Sequence, residues 1–118
     1  MKFKFENLII WQKAMNLSEA IIKTSEHFPK SEMYNITSQI MRAADSIALN
    51  IAEGAILQSS LEQKRFLGYA IRSLAEVVTC LHKVKRRNYI DELKFNQYYQ
   101  QSFDLMNMMI AYRKSIKQ

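Results

Sequence analysis

Two glycines and one proline in 118 residues leave this chain few means of making tight turns. Sandwiches and barrels punctuate their strands every few residues with Gly and Pro, so an all-β fold is excluded at the outset. A helical chain with few interruptions remains. The first interruption is Phe28-Pro29-Lys30-Ser31. Pro29 cannot continue a helix, and the residue before it is pushed toward extended backbone. The second is Gly54 with Gln58-Ser59-Ser60. Gly54 suits a helix end that needs positive φ, while Ser59 with Glu62, or Ser60 with Gln63, forms a capping box for the next helix. The third is Arg87-Asn88-Tyr89-Ile90-Asp91-Glu92, where cations close one helix and acids open another, each matching the local dipole.

These breaks predict helices over 6–27, 36–55, 60–87 and 91–116. In the turn at 31–35, Asn35 tolerates left-handed backbone, and Thr37 or Ser38 is placed to cap the second helix. Connections this short force consecutive helices to run antiparallel. The expected fold is all-α, an up-down-up-down four-helix bundle, with 1–118 as one domain. Its apolar faces follow the helical period: Ile36, Ile40, Ala43, Ile47 and Ile51 on the second helix, and Phe66, Ala70, Leu74, Val77, Leu81 and Val84 on the third. The fourth helix is broader. At about 100° per residue, Leu105, Met106, Met108, Met109, Ile110 and Tyr112 cover an arc of about 200°. That arc fits either a central, heavily buried helix or a contact between subunits, to which Met adapts well.

A hydrophobic fraction of 48% with mixed charge excludes a disordered chain. One cysteine, Cys80, permits no internal disulfide and suits a reducing compartment. The N-terminus lacks a clean apolar core and an A-x-A cleavage site, and no apolar run nears the roughly 18–20 residues that span a bilayer. A soluble cytoplasmic protein without membrane contact is expected.

Signatures of metal and enzyme chemistry are thin. Thr24 and Thr79 stand three residues before His27 and His82, where a di-iron bundle has Glu. Gly54 and Gly68 are isolated, so no phosphate-cradling loop exists. Cys80 lies in an apolar turn rather than an electropositive one. No catalytic residue, metal ligand or cofactor is expected.

Two features remain. Arg42, Ser46, Asn50 and Glu53 follow at steps of four, four and three on one face of the second helix. Folding the second and third helices about their loop places Arg42 level with Ser73 and Glu76, and Glu53 near Arg65. That line is a solvated face, a hydrogen-bonded network fixing register between helices or subunits, or a carboxylate pair. The other feature is charge. Residues 59–89 hold seven of the 17 cations against only Glu62 and Glu76, so this segment carries +5 of the chain's net +6. It ends in His82-Lys83-Val84-Lys85-Arg86-Arg87. A helix dipole accounts for some C-terminal cations, but four in five residues exceed that need. Lys83, Lys85, Arg86 and Arg87 form the basic footprint expected of nucleic-acid binding. The rival class is an interaction scaffold for an acidic protein.

The string at 39–54 reads Q-I-x-R-A-A-x-S-I-x-x-N-I-A-E-G. It resembles the signature of bacterial four-helix-bundle proteins encoded by intervening sequences within 23S ribosomal RNA genes. Phe5, Leu8, Trp11-Gln12-Lys13-Ala14, Phe28-Pro29, Glu32, Tyr34, Phe66-Leu67, Ala70, Ser73-Leu74 and Glu76 add to the likeness, which reaches about residue 90. Asn35 stands where that family commonly has Gly, and Ala48 where Pro is common. The resemblance implies a homopentamer. It also implies kinship with the accessory variability determinant of diversity-generating retroelements, a basic pentamer that binds nucleic acid and a reverse transcriptase. No catalytic residue carries over, so Arg42, Ser46, Asn50, Glu53 and Glu76 are read as structural or interfacial. The expected partners are further copies of the chain, RNA or DNA, and a protein such as a polymerase.

Overall fold

The computed structural model describes residues 1–56 and 59–117. Four helices run through it: α1 (Ile9–Ser25), α2 (Ile36–Gly54), α3 (Ser60–Arg86) and α4 (Glu92–Ser115). Each packs against its two neighbours in a closed ring, α2 against α3 most extensively and α1 against α4 least. The result is the expected four-helix bundle, 45 Å long and 25 by 22 Å across. No described helix is long and apolar enough to cross a membrane.

α1 starts three residues later than the periodicity predicts. Lys4–Asn7 form a 3₁₀ turn instead, closed by Phe3 N–H donating to Glu6 Oε2 at 2.9 Å. Phe5 meets Trp11 edge-on, with ring centroids 5.3 Å apart, which pins this turn to α1. Pro29 ends the segment as expected, and a second 3₁₀ turn, Lys30–Glu32, follows it.

The caps of α2 differ from expectation. Asn35 occupies the N-cap with φ −125°, not left-handed backbone. Its side-chain amide donates to Glu32 Oε1 at 2.9 Å rather than capping. Neither Thr37 nor Ser38 caps: Ser38 Oγ donates back to Asn35 O, and Thr37 Oγ1 is buried without a partner among the described residues. The helix begins upstream of both because Ile36 is already part of the core.

Gly54 has ordinary negative φ. It is required for proximity instead: a Cβ there would lie 2.8 Å from Phe66 Cβ and 3.3 Å from Gln63 O. The residue that does need positive φ is Asn88, at 63°. Its N–H bonds Lys85 O and the Tyr89 N–H bonds Val84 O, the paired bonds of a Schellman ending for α3. Ser59 Oγ accepts from Glu62 N–H and Asp91 Oδ1 from Lys94 N–H, so α3 and α4 start where their caps predict. Gln58, assigned above to the second break, lies outside the described residues.

The apolar faces predicted for α2 and α3 are buried, with Phe66 half-buried. α4 departs from both the position and the width of its predicted stripe. Its buried seam is Phe95, Tyr98, Ser102, Leu105 and Met109, at steps of three and four. Met106, Met108 and Tyr112 flank that seam half-buried, and Ile110 is exposed. Within one chain, α4 is therefore not a central helix.

Candidate nucleic-acid interface

Close approach at Gly54 and Phe66 sets the register of α2 against α3. One consequence is that Ser46, rather than Arg42, meets Ser73, donating a 2.6 Å hydrogen bond between helices. Asn50 Nδ2 donates to Ser46 O within α2. Arg65 pairs with Glu62 on its own helix at 3.0 Å, not with Glu53. Arg42, Glu53 and Glu76 are exposed and take part in no ion pair among the described residues. The polar line thus divides. Ser46 and Asn50 lie half-buried between helices, and the charged members face outward.

Cys80, on α3, is buried. Burial, and after it the Glu76 carboxylate, push its thiol up, against the opposing pull of Lys83 and Arg87. A thiol held protonated is a weak nucleophile. No group of three or more His, Cys, Asp or Glu that could hold a metal ion occurs among the described residues.

The four cations ending α3 do not form one uniform patch. Arg87 Nη1 reaches Glu32 Oε2 at 3.2 Å, across the bundle's end, and Tyr89 Oη donates to the same oxygen at 2.6 Å. These donors hold the Glu32 carboxyl below its ordinary range, the Tyr89 hydrogen bond first, then Asn35, with the Arg87 charge adding to them. Lys85 Nζ sits 4.5 Å over the Phe95 ring centroid and 3.9 Å from Glu92 Oε1. Both cations already have partners, which lowers their worth to a phosphate. Lys83 and Arg86 remain exposed, in no ion pair among the described residues.

Aromatic rings lie beside these cations, and sequence reasoning passed them over. His82 packs edge-on against Phe95 and Tyr99, with centroids 5.0 and 6.0 Å away, and Phe95 stacks on Tyr99 at 5.7 Å. Tyr99 and Phe103 continue along α4 and line a groove of about 250 Å³ with Ala75, Val78, Ser102 and Met106. Its lining is almost wholly apolar; Ser102 Oγ is buried there without a hydrogen-bond partner among the described residues. The signal was present as Phe95, Tyr99 and Phe103 at i, i+4, i+8, one strip of helix surface.

Set beside known proteins, the chain has a structural likeness and a family. No curated protein matches it. A crystal structure of a protein of unknown function from the S23 ribosomal protein family of Bacteroides thetaiotaomicron superposes with a TM-score of 0.84. That match covers 91% of this chain and 100% of the other at 20% identity, a likeness of fold. The sequence profile of the 23S rRNA-intervening sequence proteins matches residues 6–111, nearly the whole bundle. On that match, the chain belongs to the 23S rRNA-intervening sequence protein family.

Proposed function

We propose that this chain is a non-enzymatic, cytoplasmic protein that assembles as a closed homo-oligomer, a pentamer by its resemblance, and binds nucleic acid through α3. The observation that carries the reading is the pair Lys83 and Arg86: exposed cations in no ion pair among the described residues, on a segment of charge +5. Phosphate contacts of this kind are individually weak and salt-sensitive. Repetition around an oligomer raises their joint affinity without any new contact. Apolar side chains left outside the bundle, among them Ile9, Met15, Leu49 and Ile110, supply surface for such assembly. Structured RNA is the favoured ligand, since the family is described by its tie to 23S rRNA.

The test is binding of a structured RNA, and of duplex DNA, at two salt concentrations. Affinity should fall with salt. Lys83→Ala and Arg86→Ala should each weaken binding and lower the salt slope by about 1. Lys85→Ala and Arg87→Ala should change affinity less, because both cations have partners within the chain. Absence of binding, or binding without a salt slope, overturns the reading and leaves a scaffold for an acidic protein as the alternative.

A further inference from the structure

The α3–α4 groove has a composition that backbone electrostatics does not require. Arg72, Ala75, Thr79, His82 and Arg86 are exposed along α3 at three- and four-residue steps, a ridge of about 21 Å. Ala75 also lines the groove, so this ridge borders it, with Arg72 and Arg86 at its two ends. The opposite wall belongs to α4 and presents Tyr99, 41% exposed, and Phe103, 54% exposed. Isolated exposed rings are common on proteins. Two rings one helical turn apart, with a cationic ridge across an apolar groove, are a more specific arrangement.

We infer that this groove binds unpaired nucleotides, with bases stacking on Tyr99 and Phe103 while Arg72 and Arg86 hold the flanking phosphates. The inference rests on the nucleic-acid reading above and narrows it to single-stranded or looped RNA. A duplex hides its base faces in its own stack, so a duplex could use the cations but not the rings. A strand with splayed bases uses both, because every base has a π-face for an aromatic side chain to meet. Charge argues for this occupant over a second copy of the chain. A copy brings net charge +6 to a wall whose charged groups are arginines, whereas a nucleic-acid strand brings one negative charge per nucleotide.

Fluorescence anisotropy with a short labelled single-stranded RNA, and with the same strand annealed to its complement, tests the assignment on the full chain. Wild type should prefer the single strand. Tyr99→Leu and Phe103→Leu keep apolar bulk but remove the π-face. Each should weaken single-strand binding at least about fivefold, the factor matching ~1 kcal/mol for a stacked base. Duplex affinity and the mass by light scattering should stay unchanged. Tyr99→Phe retains the ring and should bind as wild type does. If both Leu variants hold the single strand as wild type does, the groove inference fails while salt-dependent binding keeps the broader reading intact. A reduced mass in the Leu variants also overturns it, since the groove is then a contact between copies. If wild type binds neither probe, both readings fall together.

Discussion

Tyr89 donates its hydroxyl to Glu32 at 2.6 Å, joining the turn before α2 to the turn after α3 across 57 residues of sequence. Arg87 and Asn35 converge on the same carboxylate, so the end of the bundle is held by one acid with three donors. The hydrogen bond lowers the Glu32 pKa and raises that of Tyr89. The signs fix the pH window. A lowered carboxyl pKa stabilises the fold above its ordinary value of 4.5, and the gain is lost as pH falls through the folded value. A raised phenol pKa stabilises below its ordinary value of 10.0, and the gain is lost as pH rises through the folded value. Glu32→Gln and Tyr89→Phe should both lower the melting temperature at neutral pH. Melts over a pH series check this: the deficit of Glu32→Gln should vanish in acid below the folded Glu32 pKa.

The two glycines should respond oppositely to alanine. At Gly54 the new methyl meets Phe66 Cβ and a backbone carbonyl, neither of which can rotate away. Gly54→Ala should cost about 1–3 kcal/mol, as overpacked sites do. Gly68 sits inside α3, and a Cβ there would meet only Arg113 Nε at 3.9 Å. Gly68→Ala should therefore stabilise by about 0.5–1 kcal/mol through helix propensity. Urea unfolding of the two variants measures both. Equal effects would mean that the α2–α3 approach is looser than a 2.8 Å contact at Gly54 requires.

These glycines also mark how far sequence reading reaches. Apolar period alone located the α2 and α3 cores, because Ile, Val and Leu recur there without competitors. On α4 the same reasoning followed methionines and found only Leu105 and Met109 of the seam, since Phe95, Tyr98 and Ser102 are not a plain aliphatic stripe. Gly54 was assigned positive φ because a glycine at a helix end usually means that; close approach to a partner helix leaves no local sign. The cations of α3 were legible, but their unequal availability was not. Arg87 loses its freedom to Glu32, 55 residues away, and Lys85 to a ring and a carboxylate on the next helix. Only tertiary packing brings those partners close.

The outer ridge of α2 is where assembly can be tested. Arg42 and Glu53 are exposed, with no ion pair among the described residues, so removing either leaves no buried charge behind. Within the chain these two are the solvated face that their spacing allows. Surface substitutions of this kind change a chain's own stability by no more than about 0.5 kcal/mol. Leu49 lies between them on the same ridge, an apolar side chain that the described residues leave 62% exposed. If the ridge meets another copy, Arg42→Ala, Glu53→Ala and Leu49→Ala should lower the assembled mass while leaving helical content alone. Wild-type melting should also rise with protein concentration, because association stabilises by mass action. Light scattering coupled to gel filtration reads the mass. A wild-type chain of 13.9 kDa at micromolar concentration overturns the assembly. An assembled wild type whose three variants keep its mass returns the ridge to solvent and moves the contact to another face, such as the α1–α4 side where Ile9, Met108 and Tyr112 line a groove.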